Sequence, residues 1–141
     1  MASNKTLSYT DRIGIKASSV VQIVSLIEKG IRYRHLTNLQ KQLRMSISEI
    51  ASAVEISERT LARRKKEGRL NPEESERLIR ISRIYDKAVD LFEGDEDDAL
   101  RWLQKPAVAF DDKTPLEFAS TELGAREVEN LIDRLSQGVF S

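Results

Sequence analysis

The sequence predicts an all-α fold, with an N-terminal helix-turn-helix domain packed with a small helical C-terminal domain. Three observations predict it. Apolar residues recur at helical spacing from Ala17 to Leu135, and no segment shows the alternation expected of a strand. Start and stop signals punctuate these runs. Ser46, Ser57, Asn71-Pro72, Asp95, Thr114-Pro115 and Thr121 open helices, and Gly30, Gly94 and Gly138 close them. Residues 46–69, SISEIASAVEISERTLARRKKEGR, join two short helices of which the second is basic.

In chain order, residues 1–16 are polar and mixed and predict a flexible N-terminus. Val20, Val21, Ile23, Val24 and Ile27 predict a largely buried helix from Ala17 to Lys29. Leu36, Leu39 and Leu43 place another helix between Tyr33 and Leu43. The helix-turn-helix domain then spans 17–70. Asn71 caps a long connecting and dimerisation helix over 71–93. Pro72 takes its first helical position, acids sit at its positive end, and Leu78, Ile81, Ile84, Tyr85, Ala88, Val89 and Leu91 form its apolar stripe. Arg77, Arg80 and Arg83 on its other face are either solvated or grip a polyanion.

A C-terminal domain follows over 94–141. Ala99, Leu100, Trp102 and Leu103 are its first apolar face, with Trp102 as a core or dimer residue; Leu116 and Phe118 lie in a short helix after Thr114-Pro115. Val128, Leu131, Ile132 and Leu135 line the last helix, whose start Gly124 interrupts. The total is seven or eight helices without repeats.

The basic segment carries the first functional expectation. Ile47, Ile50, Ala51 and Val54 share one face of its first helix, Ile56 sits in the turn, and Leu61 anchors the second helix. Ser46 and Ser57 are N-caps, and Ser46 with Glu49 has capping-box spacing. Ser57, Arg59, Thr60 and Arg63 project away from the Leu61 face. Arg59 and Arg63, four apart, suit bidentate guanine contacts in a DNA major groove. Lys65, Lys66 and Arg69 suit phosphates. Arg64 stands where many such motifs bury an apolar residue, its stem over the core and its head outward. One such helix reads few base pairs, so a homodimer on a palindrome is expected.

Composition narrows the classes. The chain has no cysteine, which excludes disulfides and thiolate metal sites and fits a cytoplasmic setting. Its single histidine, His35, makes no metal site alone and reads as a surface or helix-start residue. No cofactor, metal or catalytic residue is expected, because no nucleophile–base pair or glycine-rich phosphate loop stands out. MASNKTLSYTDR has no apolar core of a signal segment, and no later run is long enough for a membrane span. The net charge of zero hides an asymmetry: residues 1–69 carry 14 Lys/Arg against 6 Asp/Glu, a net of +8, and residues 70–141 carry 9 against 17, a net of −8. Such halves point to two partners of opposite character, or to each other.

SERTLARRKKEGRLNPEESERLIRISRIYDKAVDLF resembles the core of Xre-type antitoxins of bacterial RES–Xre type II toxin–antitoxin systems. ALRWLQKPAVAFDDKTPLEFASTELGAREVENLIDRLSQGVFS is similar to the C-terminal toxin-binding domain of the Xre/MbcA/ParS-like antitoxins. The resemblance covers about residues 44–141 through RTL, A..WL..P, T..GA..V, LI.R and G.FS in the same order. Two places depart from it. Ala109-Phe110-Asp111-Asp112-Lys113 stands where the family loop usually has glycines, and Glu55 occupies a turn position that is often glycine.

The resemblance implies a non-enzymatic antitoxin. It would neutralise a RES-domain, ADP-ribosyltransferase-like, NAD-consuming toxin and act with it as a repressor of the shared operon. It also implies that the C-terminal end reaches over the toxin's NAD site. Val139 and Phe140 after Gly138 form an apolar anchor there, and the Ser141 carboxylate is placed to meet basic groups. Phe140 equally well folds back on its own helix. Glu122, Arg126, Glu129, Asp133 and Arg134 are the candidate polar contacts, while Leu131 and Ile132 read as core. The competing reading is a free-standing dimeric helix-turn-helix transcription regulator whose C-terminal half only dimerises or senses a ligand.

Overall fold

The computed structural model describes residues 7–138. Among them are nine α-helices, one short 3-10 turn and no strand. These are α1 (Ser8–Asp11), α2 (Val20–Lys29), α3 (Tyr33–Gln42), α4 (Ile47–Ala53), α5 (Glu58–Glu67), α6 (Pro72–Leu91), α7 (Glu96–Leu103), the 3-10 turn Val108–Phe110, α8 (Pro115–Phe118) and α9 (Glu122–Ser136). The chain divides into two compact units between Ser82 and Arg83, within the continuous helix α6.

In the first unit, Leu36, Leu39, Leu43, Ile50, Val54, Leu61, Leu78 and Ile81 are all at or below 1% exposure and form the core. Three of the caps are those the sequence names, while Ser19, which caps α2 by accepting from Gln22 N at 3.2 Å, was not named. The Ser46 hydroxyl accepts from Glu49 N while the Glu49 carboxylate accepts from Ser46 N. Ser57 accepts from Thr60 N, and Asn71 Oδ1 accepts from Glu74 N. Each cap satisfies an otherwise orphaned helix-end donor, at about 1 kcal/mol.

Three expectations are corrected in this unit. The N-terminus expected to be flexible over 1–16 is folded in its described part. Thr10 and Ile13 are fully buried, Leu7 N donates to Ala17 O at 2.7 Å, and the Ser82 hydroxyl donates to Tyr9 O. Short polar runs conceal this because Thr10, Ile13 and Ile15 show no period until the chain turns at Gly14. Helix α2 is not largely buried. Only its Ile23 is, whereas Val20, Val21, Val24 and Leu26 are 63, 79, 46 and 37% exposed. Apolar residues around most of a helix predict burial without saying by what, and here this unit covers one side alone. Ile47 is likewise 41% exposed. His35, read as a surface residue, is buried, and its Nδ1–H donates to Ile13 O at 2.6 Å.

In the second unit, Ile84, Ala88, Ala99, Leu103, Ala119, Val128 and Ile132 are the buried centre, with Phe110 stacked on Phe118 at 4.7 Å. Trp102, Leu131 and Leu135 are half-buried at its margin. The loop that lacks the family's glycines still adopts the left-handed backbone, with Asp111 and Asp112 at φ +56° and +63°. Aspartate is one of the few residues with a side chain that tolerates this. Gly124 does not break α9. It sits in its first turn, where its N–H donates to the Thr121 hydroxyl and an added Cβ would lie 1.8 Å from Phe118 O.

Candidate functional site

The turn between α4 and α5 is held from outside. Glu55, at φ +54°, takes the strained left-handed turn position, and Ile56 N donates to Ala51 O at 3.0 Å. Arg77 donates from Nε to Val54 O at 2.8 Å and from Nη2 to Glu55 O at 3.4 Å. It therefore completes the carbonyl end of α4, which gives Arg77 a place in the fold.

On α5, Leu61 is 1% exposed and faces the core. Arg59, Ala62, Arg63 and Lys66 follow one another around the opposite, exposed side. No carboxylate among the described residues holds Arg59, Arg63 or Lys66 in an ion pair. Ala62 was not singled out in the sequence, although the helical wheel places it between Arg59 and Lys66. Its methyl is the kind of group that meets a thymine methyl. Lys65 is exposed on the flank. Ser57 and Thr60 are tied to each other through their hydroxyls at 3.0 Å, besides the cap, so both serve the helix start.

Arg64 is placed differently. Its Nε and Nη2 donate to the two oxygens of Glu74 at 2.7 and 3.1 Å, and Nη1 donates to Glu67 at 3.1 Å. Its side chain is 16% exposed and that of Glu74 6%. Hydrogen bonds to Glu74 and Glu67 raise the Arg64 pKa further, so it stays charged. Burial alone would raise the Glu74 carboxyl. The Arg64 hydrogen bonds, the Asn71 N–H and the Arg64 and Arg77 charges outweigh it and hold the group below the usual carboxylate range. The pair fastens α5 to the start of α6, so Arg64 acts inside the fold and does not join the exposed basic face.

Arg69 lies past the left-handed Gly68 that ends α5. It remains exposed, but its Nη1 donates to Gly30 O at 2.6 Å. The eight cations and hydroxyls grouped by sequence thus separate. Arg59, Arg63, Lys65 and Lys66 are presented outward, Arg69 is half-tethered, and Ser57, Thr60 and Arg64 stabilise the helix.

The second unit shows a similar division. Glu129 accepts from Arg83 Nε and Nη2 at 2.8 and 3.1 Å, and Asp133 accepts from Lys87 at 2.8 Å; both pairs tie α9 to the last turns of α6. Glu122 and Arg126 form an exposed i,i+4 pair at 2.8 Å, and Arg134 is exposed. Gly138, at φ +69°, ends the described chain; Val139, Phe140 and Ser141 lie outside the described residues. Leu123, 69% exposed, was missed because it falls off the Val128–Ile132 stripe. It borders a shallow cleft of about 330 Å³ with Phe118, Thr121, Glu117 and Glu127.

These features define a class: a helix-turn-helix domain carrying an outward basic face, joined by a long helix to a small acidic helical domain. The comparisons agree. Residues 22–83 match the antitoxin Xre-like helix-turn-helix domain, and residues 87–138 match the antitoxin Xre/MbcA/ParS C-terminal toxin-binding domain. An "Antitoxin Xre" of Yersinia enterocolitica is 38% identical over 140 residues, 99% of this chain and 95% of its own. Another of Photorhabdus laumondii is 32% identical over 92% of this chain and 88% of its own, and one of Pseudomonas putida 28% over 82% and 64%. The chain belongs to the Xre antitoxin family, with a helix-turn-helix domain and a toxin-binding domain. No helix among the described residues is long and apolar enough to cross a membrane.

Proposed function

We propose that the chain neutralises a cognate RES-domain toxin, an NAD-consuming enzyme of ADP-ribosyltransferase type. It does so by covering the toxin's active site with its C-terminal region, and it represses its own operon through α4 and α5 as a cytoplasmic homodimer. The observation that carries this reading is the union of two surfaces in one chain. One is an α5 face whose Arg59, Arg63 and Lys66 no carboxylate among the described residues holds. The other is a matched toxin-binding domain within a half of net charge −8. The RES assignment rests on the resemblance of residues 44–141.

In this reading Glu122, Arg126, Arg134, Gly138 and the 139–141 segment contact the toxin, and Glu129 and Asp133 act by fixing α9 on α6. Arg59 and Arg63 read bases, and Lys65, Lys66 and Arg69 neutralise phosphates. The exposed apolar strip of α2 supports association between copies.

The test uses the candidate toxin encoded in the same operon as this chain and follows NAD consumption. The full chain is expected to stop it, and a chain ending at Gln137 is expected not to. Protection by both forms would remove the tail from the mechanism. Protection by neither would return the reading to a dimeric transcription regulator. In parallel, R59A and R63A are each expected to cost about 1–3 kcal/mol of preference for the promoter duplex over scrambled DNA.

A further inference from the structure

Beside the recognition helix, the first unit holds a second basic feature that the sequence did not single out. A pocket of about 260 Å³ is lined by Lys16, Arg32, Arg34 and Arg69, with no acidic residue in its wall. Lys16 is already paired with Asp11. No carboxylate among the described residues pairs with Arg32, Arg34 or Arg69.

The chain builds this cluster deliberately close to α5. Arg32 and Arg69 face each other in an antiparallel bridge, closed by Tyr33 N to Gly68 O at 2.9 Å and Leu70 N to Ile31 O at 2.8 Å. Residues opposed in such a bridge send their side chains to the same side. Gly30 makes the close approach possible, since a Cβ there would stand 2.3 Å from Leu70 O. The Arg69 guanidinium is oriented by its bond to Gly30 O, which leaves its other N–H groups available. Arg34 enters from the first turn of α3, whose N-terminus has no side-chain cap. Arg69, and through the bridge Arg32, therefore stand just past the end of α5.

We propose that Arg32 and Arg34, with Arg69, bind backbone phosphates of duplex DNA flanking the bases read by α5. Forked guanidiniums suit phosphate oxygens. The site would set position and affinity without contributing sequence preference. This inference rests on the reading of α5 as a DNA-binding helix.

The test uses the full chain with Arg32→Gln and Arg34→Gln together, both at exposed positions, so the fold is expected to keep its Tm. The probe is a fluorescein-labelled duplex of scrambled sequence, titrated between about 50 and 200 mM salt. Each lost phosphate contact flattens the slope of log K against log salt by about 0.9, so the double variant is expected to be shallower by about 1 to 2. Its Kd should rise by the same factor on scrambled and promoter duplexes. A wild-type chain that binds, together with a variant of unchanged slope, overturns this inference and leaves the α5 reading standing. A wild-type chain that binds no duplex overturns both.

His35, the only histidine, lines the pocket and supplies a second readout. Burial first, then the charges of Arg34 and Arg32, hold its pKa below the ordinary value, against the opposing bond to Ile13 O. Duplex should move its imidazole resonances in the wild type and not in the variant. If millimolar inorganic phosphate moves them while the DNA slope of the variant is unchanged, the pocket takes a free anion and the proposal fails.

Discussion

Replacing Glu74 by alanine tests how α5 is held. Glu74 is 4% exposed and accepts from Arg64 Nε at 2.7 Å, Arg64 Nη2 at 3.1 Å and Asn71 N at 2.9 Å. Charge-assisted bonds of this kind contribute about 1.5–3 kcal/mol, and the lost capping acceptor about 1 kcal/mol. The Arg64 head keeps some access to water, so the loss for Glu74→Ala should be near 3 kcal/mol and below the upper range for a buried pair. At roughly 3–5 °C per kcal/mol for a chain of this length, Tm should fall by about 10 °C.

Glu74→Gln keeps an acceptor for Asn71 N and should lose about 1–2 kcal/mol. The charge also sets a pH dependence. The Glu74 carboxyl is held below its usual range in the native state, so its contribution is fully present above the unfolded value, near pH ~4.3, and is lost as pH falls through the lower native value. Urea denaturation followed by circular dichroism should show wild type losing more stability than Glu74→Gln between about pH 5 and pH 3. A Glu74→Ala chain within about 0.5 kcal/mol of wild type, or parallel pH profiles, would refute the reasoning.

Three further outcomes are expected. Gly124→Ala drives a Cβ to 1.8 Å from Phe118 O and should cost the second unit about 3 kcal/mol; the single Trp102 reports it by fluorescence, while duplex binding through the first unit persists. Glu55→Gly relieves a left-handed residue at φ +54° and should raise stability by about 0.5–1 kcal/mol in urea titrations, part of the relief being offset by the entropy of glycine. Val21→Glu, at a 79% exposed position, should leave the Tm of an isolated protomer within the range of surface substitutions and convert a dimer to monomer in light scattering; a dimer that survives would place the subunit contact elsewhere.

What the sequence revealed followed the range of the physics involved. Helix starts are local, and Ser46, Ser57, Asn71, Asp95, Thr114 and Thr121 all act within three or four residues, so they were legible. The apolar face of α4 and α5, Ile47 apart, was legible for the same reason. Arg64 was not, because its partner Glu74 lies ten residues on and across a turn; a cation in an apolar register was the signal. Arg32 and Arg34 were invisible as site residues because only the bridge to Arg69 brings them to the end of α5. The exposure of α2 could not be foretold either, since periodicity states which residues avoid water and not what covers them. Arg83 was read with Arg77 and Arg80 as solvated or gripping a polyanion, because its partner Glu129 stands 46 residues away.

The charge asymmetry takes on a different meaning once each group is placed. In the first unit the cations closest to the core, Arg64 and Arg77, hold α5 and the turn before it through Glu74, Val54 O and Glu55 O. Such a mounting suits the DNA contacts proposed for the outer cations. A side chain on a loosely held helix would spend ordering entropy on contact with DNA, whereas Arg59 and Arg63 stand on a helix already fixed at its cap and at its middle. In the second unit, Arg83 and Lys87 from α6 neutralise Glu129 and Asp133, so part of the acidic excess is used to join α9 to α6. Glu122 and Glu127 are exposed on α9, each with a local partner, Arg126 and Asn130. A net charge of +8 or −8 therefore overstates each surface, because part of the charge of either sign is paired within the fold.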